Sequence, residues 1–347
     1  MNPIFQRLMS QVTRLTQTGK LRDATAAIQA ALRGSGVSTA GSDASVIDVP
    51  VREVKRGAAD PVRPASSTGQ FTTGSHTEAA GMRKYKLYVP PGPTGQPLPL
   101  VVMLHGCTQN PDDFAAGTGM NELALTQGFF VLYPAQAQNA NPSRCWNWFK
   151  HNHQRRERGE PAILAGMTRE VMKQHHIDPQ RVYVAGLSAG GAMAAILGDA
   201  YPDLFAAVGV HSGLATGSAS NVQQALSAMQ SGGAATTATG PSPPTIVFHG
   251  DQDSTVHPAN GEQVVAASAG TAAPELERAR SVNGHEYTRR VYRQADGKVL
   301  AEHWAVHGAG HAWSGGSVRG SYTDARGPDA TQEMLRFFKA NKLPLTH

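Results

Sequence analysis

A serine flanked by glycines separates a short apolar run from a stretch of small residues, in Gly186-Leu187-Ser188-Ala189-Gly190. Glycines on both sides let the backbone turn tightly between a strand and a helix, which leaves the serine hydroxyl exposed at the helix N-terminus. This pattern predicts that Ser188 is a nucleophile. A glycine-rich turn without chemistry is the alternative, but the strand-like run before the motif and the helical pattern after it favour the nucleophile.

A serine hydroxyl is a weak nucleophile at neutral pH, so it requires a general base and a carboxylate that orients the base. Downstream of Ser188, a turn after an apolar run carries two acids, Asp251 and Asp253. The spacing of the acid from His249-Gly250 favours Asp253 as the orienting carboxylate. Asp251 is the alternative, and an aspartate that only stabilises its own turn is a third interpretation.

Fourteen histidines compete for the role of the base. His311 lies in a glycine-rich stretch, 308–313, after the last predicted strand and before the last predicted helix. His151 and His153 resemble the His-Asn-His of a nuclease, but no matching set of metal ligands follows them. The position of His311 in the chain therefore predicts that it is the general base.

Acyl transfer also needs hydrogen-bond donors for the oxyanion of the tetrahedral intermediate, each worth about 3–4 kcal/mol. One predicted donor is the backbone amide of Ala189, directly after the nucleophile. The other is predicted to be the backbone amide of Cys107, in the loop His105-Gly106-Cys107-Thr108-Gln109 that follows a predicted strand.

Short apolar runs alternate with helix-like stretches from Lys84 onward, which predicts a mostly parallel sheet with helices on both faces. The predicted strands are Tyr85–Val89, Leu100–Leu104, Phe129–Tyr133, Val182–Ala185, Ala207–Val210, Ile246–Phe248, Tyr287–Arg293 and Leu300–Val306, and the predicted helices are Asn121–Gln127, Ala162–His175, Ala189–Tyr201 and Ala330–Asn341. A segment rich in small residues, 217–244, lies where this kind of fold accepts a lid. A mobile cover and an inert loop are both open interpretations of it.

The sequence divides into three parts. Residues 1–33 have apolar positions at helical spacing and predict an N-terminal helical extension, whereas residues 34–81 are rich in Gly, Ser, Ala, Thr and Pro and predict a linker or wrapping segment. Residues 82–347 are predicted to form the catalytic domain.

The chain of 347 residues has a formal net charge of +5, a small excess for its length. The densest basic cluster, 144–158, lacks a recognition-helix or aromatic-sheet motif, so nucleic-acid binding is not expected. No apolar stretch reaches the roughly 18–20 residues of a membrane-spanning helix, so no membrane span is expected.

Five segments together closely resemble the polyhydroxybutyrate depolymerase family of esterases, which includes feruloyl and acetylxylan esterases. The matching segments are HGCTQ (105–109), CWNWF (145–149), GLSAGGAMA (186–194), HGDQDSTV (249–256) and GAGHAWSGG (308–316). The resemblance implies an α/β-hydrolase fold, a triad of Ser188, Asp253 and His311, and no cofactor or metal. It also implies a disulfide between Cys107 and Cys145 beside the active site, the alternative being two reduced thiols.

Three tryptophans lie in or beside the same segments. Trp146, Trp148 and Trp313 are predicted to bind substrate as flat apolar walls, with core packing as the alternative. Ser314 departs from the family, where the resemblance leads us to expect a proline after His-Ala-Trp, and this departure is expected to change the stiffness of the loop.

We therefore predict a serine ester hydrolase whose partner is an ester substrate, either a short hydroxyacyl ester or a polyhydroxybutyrate-type oligomer or polyester. A feruloyl or acetylxylan esterase is the main alternative, because sequence does not separate the esters. A non-catalytic binding protein with this fold would be expected to lack a triad member, and none is missing. The N-terminus lacks the pattern of a secretory signal, so the cytoplasm is the expected location, with secretion as the alternative that the resemblance implies.

Overall fold

The computed structural model describes residues 68–92, 95–233, 242–282 and 284–344. The predicted helical extension, residues 34–67 of the predicted linker, and residues 234–241 of the segment 217–244 lie outside the described residues.

Ten strands form one sheet in the order β1-β2-β4-β3-β5-β6-β7-β10-β9-β8. In chain order they are β1 (Gln70–Glu78), β2 (Gly81–Val89), β3 (Leu98–Leu104), β4 (Phe130–Ala135), β5 (Ile177–Leu187), β6 (Ala207–His211), β7 (Thr245–Gly250), β8 (Pro274–Arg280), β9 (Glu286–Arg293) and β10 (Val299–Val306). The consecutive strands from β4 to β10 in this order are parallel, and antiparallel strands flank them on both sides. The mostly parallel sheet that the sequence predicts is confirmed.

Helices cover both faces of the sheet, as predicted. They are α1 (Pro111–Thr118), α2 (Met120–Gln127), α3 (Gly159–Gln174), α4 (Ala189–Ala200), α5 (Val222–Ser231), α6 (Ala259–Ala269) and α7 (Ala330–Lys339). Buried residues of α3 to α6 pack on one face, and those of α1, α2 and α7 pack on the other. Strand β3 shows the division, since Leu100, Val102 and Leu104 face the first layer whereas Val101 and Met103 face the second.

Two local features lie near the site, the start of helix α1 and a pair of short strands. The side chain of Asn110 accepts a hydrogen bond from the amide of Asp113 and Pro111 occupies the first turn, so α1 begins directly after the loop 105–109. Two short parallel strands, β11 (Trp313–Ser314) and β12 (Thr323–Asp324), pair with each other after β10.

Residues 70–78 of the predicted linker or wrapping segment form strand β1. Strand β1 pairs with β2 along its full length, from Gln70 opposite Val89 to Glu78 opposite Gly81. Most β1 side chains are exposed, because an edge strand is held by backbone hydrogen bonds and needs few apolar residues. The alternation that marks a half-buried strand was therefore absent, and the sheet begins earlier than residue 82. Strand β8 was missed for the same reason.

Across the part of the chain that the structure describes, every helix is too short or too polar to cross a lipid bilayer.

Candidate active site

The predicted site residues gather along one edge of the sheet. Ser188 follows β5, Asp253 follows β7, His311 follows β10 and Cys107 follows β3. These strands are parallel, so their carboxyl ends lie together, and ligand sites of open α/β sheets form outside those ends.

Ser188 occupies a strained turn between β5 and α4. Its φ is 59° and its ψ is −120°, in the positive-φ region that non-glycine residues rarely adopt. A Cβ on Gly190 would lie 2.0 Å from the carbonyl oxygen of Leu104, and one on Gly186 would lie 2.4 Å from the carbonyl carbon of Gly190. Positions 186 and 190 must therefore be glycine, and the tight turn holds the serine at the start of the helix.

The carboxylate of Asp253 contacts the imidazole of His311. Oδ2 of Asp253 lies 2.7 Å from Nδ1 of His311, and Oδ1 accepts hydrogen bonds from the amides of Thr255 at 2.9 Å and Val256 at 2.8 Å. Burial alone raises the pKa of Asp253, but hydrogen bonds from His249 and His311 lower it below its ordinary value. The carboxylate is thus ionised and able to orient the His311 ring.

Asp251, the alternative acid, has a different partner. Its Oδ2 lies 2.9 Å from Nδ1 of His307, and its Oδ1 accepts from the amide of Gly308 at 2.8 Å. Burial raises the pKa of Asp251, and the hydrogen bonds from His307 and Gly308 outweigh that effect and lower it. The structure therefore separates the two acids: Asp251 anchors the start of the loop that carries His311, and Asp253 meets the imidazole itself.

The loop 105–109 lies against the serine turn, since a Cβ on Gly106 would be 3.6 Å from Cβ of Ser188. Within the loop, the amide of Gly106 donates to Oε1 of Gln109 at 2.9 Å, and the amide of Thr108 donates to the carbonyl of Ser143 at 2.7 Å. The amide of Cys107 between them has no acceptor among the described residues. It is therefore available to a ligand.

A disulfide joins Cys107 to Cys145 with an S–S distance of 2.04 Å, so the predicted bond is confirmed. It ties the loop 105–109 to the segment 145–149. That segment is itself anchored by Glu160, whose carboxylate accepts from the backbone amide and the side chain of Asn147, each at 2.7 Å. Burial raises the pKa of Glu160, but the neighbouring His153 and hydrogen bonds from Gln136 and Asn147 lower it to about 2, so it stays ionised.

Reduction of this disulfide is expected to destabilise the protein and to lower activity. Opening a loop of 38 residues costs about 3–4 kcal/mol of unfolding free energy on the chain-entropy model, and it frees the backbone around Cys107. Urea unfolding with and without reductant measures the first effect. The chain has only two cysteines. A double variant, Cys107→Ser with Cys145→Ser, should therefore have the unfolding midpoint of the reduced protein, and reductant should not change it. Equal midpoints for oxidised and reduced protein would contradict the expectation.

The structure buries the three tryptophans that are predicted to bind substrate. Trp146, Trp148 and Trp313 are 0%, 5% and 1% exposed. The indole N–H of Trp146 donates to the carbonyl of His105 at 3.1 Å, and that of Trp313 donates to the hydroxyl of Thr331 at 2.9 Å. The indole N–H of each of these two rings therefore has a hydrogen-bond acceptor inside the protein. The two rings are core residues that pack beneath the site loops.

His211, at the end of β6, links the serine turn to the His311 loop and was missed from sequence. Its carbonyl accepts from the amide of Ser188 at 2.8 Å, and its Nε2 accepts from the amide of Ser314 at 2.9 Å. Burial, with the nearby His249 and His311, lowers the pKa of His211 to about 3, so its ring is neutral. Its place at the carboxyl end of a parallel strand was the signal that could have found it.

The contact with His211 shows what Ser314 does at the position where the family resemblance predicts a proline. A proline has no amide hydrogen, so it would not donate to His211. The hydroxyl of Ser314 also donates to the carbonyl of Pro328 at 2.7 Å. In this chain, two hydrogen bonds therefore restrain the loop at the position where the family resemblance led us to expect a rigid ring.

Three buried histidines are expected to make stability fall steeply with acid. Burial lowers the pKa of His105 to about 4, of His211 to about 3 and of His303 to about 3. The unfolded chain takes up these protons below about pH 6.5 while the folded protein does not, so stability is full above that pH and is lost as the pH falls. Each histidine contributes a slope of about 1.4 kcal/mol per pH unit near pH 5.

Urea unfolding from pH 7.5 to 4.5 measures this slope. His303→Leu should have a shallower slope than the wild type by about 1.4 kcal/mol per pH unit, whatever its absolute stability. The exposed His151, changed to Gln, is the matched control and should leave the slope unaltered. Parallel curves for wild type and His303→Leu would rule out a neutral His303.

The strand order, the serine turn after β5 and the histidine loop after β10 define an α/β-hydrolase fold. Residues 83–270, just over half of the chain, match the family described as Esterase PHB depolymerase. The chain belongs to this esterase family, as the sequence motifs predicted.

Individual relatives agree with the family assignment. The chain is 34% identical to the poly(3-hydroxyalkanoate) depolymerase C of Paucimonas lemoignei over 63% of its own length and 56% of that protein. It is 27% identical to a probable acetylxylan esterase A of Aspergillus clavatus, over 65% of its length and 78% of that protein. The chain thus spans little more than half of the depolymerase.

The fold also matches a solved structure, the acetyl xylan esterase from Aspergillus awamori. The TM-score is 0.62 at 21% identity, over 78% of this chain and 99% of that chain. At this identity the likeness concerns the fold alone.

Proposed function

We propose that the protein is a serine ester hydrolase that uses Ser188, His311 and Asp253 as a catalytic triad. The observation that carries the proposal is the hydrogen bond between Asp253 and His311, 2.7 Å long, on loops that follow β7 and β10 at the same edge of the sheet as the serine turn. His211 supports it further, because it binds both the amide of Ser188 and the amide of Ser314, three residues after His311.

In the proposed reaction, His311 Nε2 removes the proton of Ser188 as its oxygen attacks the ester carbonyl. Asp253 holds the proton of His311 on Nδ1 and stabilises the imidazolium. The amides of Cys107 and Ala189 donate to the oxyanion. His311 then protonates the leaving alcohol, and water repeats the attack on the acyl-enzyme to release the acid. The amide of Cys107 suits this role because it has no acceptor among the described residues.

The substrate class we propose is a hydroxyacyl ester, as a short ester or as an oligomer or polymer of hydroxyalkanoate. Similarity to a poly(3-hydroxyalkanoate) depolymerase at 34% identity supports it. An acetylated or feruloylated carbohydrate is the second candidate, because the chain covers 78% of an acetylxylan esterase relative.

A product-release assay on the whole chain tests the proposal. Hydroxybutyrate oligomers, acetylated xylan, feruloyl esters and 4-nitrophenyl esters of graded acyl length are compared by kcat/KM. We expect hydroxybutyrate oligomers to give the highest value. A preference for acetylated xylan or feruloyl esters would support the second substrate class. If none of these esters is hydrolysed, the proposed function is wrong.

We also propose that the protein works in an oxidising compartment, in place of the cytoplasm expected from the N-terminus. Disulfides are rare in cytosolic proteins, and Cys107 and Cys145 are bonded here. Alkylation of the protein in freshly lysed native cells, followed by mass spectrometry, decides it. Two alkylated cysteines would favour the cytoplasm.

A further inference from the structure

We infer that Tyr322 forms the wall of the site that contacts the alcohol portion of the ester. The inference rests on the proposed esterase function and adds the residue that selects among alcohols. Tyr322 lies at the turn before β12 and is 46% exposed. The tryptophans of the neighbouring segments are buried, whereas this phenol ring is exposed to solvent.

Tyr322 is held between the two loops that the mechanism uses. Its carbonyl accepts a hydrogen bond from the amide of Trp313 at 2.7 Å, and Trp313 is two residues after His311. Its phenolic oxygen lies 3.3 Å from Oγ1 of Thr108, the residue after Cys107. The hydroxyl of Thr108 donates to the carbonyl of Cys107 at 2.6 Å, so the phenol is the donor in its contact with Thr108.

The segment that carries Tyr322 is connected to the loop 105–109 by a second set of hydrogen bonds. Asp113 accepts from the amide of Ser321 at 2.9 Å and from its hydroxyl at 2.6 Å. Nε2 of Gln109 donates to Asp113 at 2.8 Å and to the carbonyl of Ser321 at 3.1 Å, while its Oε1 holds the amide of Gly106. The ring position is therefore coupled to the loop that presents the Cys107 amide.

The backbone on both sides of the contact is strained. Tyr322 has a φ of 53° and Thr108 a φ of 67°. Left-handed φ values are unfavourable in a bulky aromatic and in a β-branched residue, and such strain persists only where the surroundings impose it. The hydrogen bonds from Trp313 to the carbonyl of Tyr322 and from the amide of Thr108 to Ser143 supply those surroundings, so the backbone that carries the phenol ring is fixed in position.

The chemistry of the proposed reaction decides which part of the ester meets the ring. His311 must reach the oxygen of the leaving alcohol to protonate it, so the alcohol lies on the side of the His311 loop. Tyr322 is bonded to that same loop through Trp313. A flat apolar ring there would pack against an alkyl or aryl alcohol, or against the next hydroxyacyl unit of a polyester.

Esters that share one acyl group and differ in the alcohol test this inference. Tyr322→Ala should lower kcat/KM for benzyl butyrate by about tenfold and for ethyl butyrate by less than about twofold, as expected for the loss of an apolar contact. Deacylation involves no alcohol, so the steady rate after the burst with 4-nitrophenyl butyrate should stay within about twofold of wild type. Tyr322→Phe keeps the ring and should retain most of the selectivity.

Val318→Ala is the matched control, because Val318 lies in the same segment and is 87% exposed. It should leave the preference among alcohols unchanged. Equal loss for benzyl and ethyl butyrate in Tyr322→Ala, or a slowed deacylation, would each overturn the inference while the proposed esterase function stands. Failure of the wild type to hydrolyse any of these esters would instead overturn the proposed function.

Discussion

Ser188→Ala is expected to abolish ester hydrolysis, lowering kcat by about 10⁶-fold if the three triad residues act as a unit, as they do in serine proteases. The remaining rate would come from the oxyanion donors and from substrate binding alone. Alanine keeps the Cβ and therefore adds no strain at the positive φ of 59°, so the fold should be retained. Steady-state hydrolysis of 4-nitrophenyl butyrate and the urea unfolding midpoint are measured together.

Ser268→Ala is the control for this substitution. The Ser268 hydroxyl contacts the hydroxyl of Thr245 at 3.0 Å, at the amino end of β7, on the opposite edge of the sheet from Ser188. It should retain wild-type activity. Activity of Ser188→Ala within tenfold of the wild type would remove Ser188 from the mechanism.

Asp253→Asn is expected to lower kcat by about 10⁴-fold, because an asparagine amide donates to Nδ1 of His311 and imposes the wrong tautomer on the base. The carboxylate is buried and bonded to two backbone amides, which an asparagine oxygen still accepts. The geometry of the turn should therefore survive, and the loss should appear in kcat with little change in KM.

Asp251→Asn is the matched comparison, two residues away in the same turn. Asp251 bonds to His307 and to the amide of Gly308, and it lies on the surface. Its loss removes an anchor of the His311 loop and should lower kcat by less than about tenfold, in line with the small contribution of a solvent-exposed polar contact. The reverse ranking of the two variants would assign the orienting carboxylate to Asp251.

Features that depend on local backbone conformation were predictable from sequence. The turn at Ser188 was predicted because glycine is required on both sides of such a turn, and no long-range contact is needed to see this. The central strands were predicted because a parallel strand covered on both faces is apolar throughout. The family motifs added the disulfide between Cys107 and Cys145, which the structure contains.

Only the tertiary structure decided which residues that are far apart in the sequence contact each other. An aromatic residue beside a motif has the same local sequence whether its ring faces the core or the solvent, so the burial of Trp313 and the exposure of Tyr322 were open until the loops were placed. Ser314, which donates a hydrogen bond to His211, is 103 residues away from it in the chain. Strand β1 is held by backbone hydrogen bonds, which leave no apolar pattern in the sequence. Sequence alone therefore determined the central strands and the candidate residues with reactive side chains, because both follow from short-range backbone and side-chain chemistry. The pairing of Asp253 with His311, and the neutral histidine that connects their loop to the serine turn, required the packing of strands that are far apart along the chain.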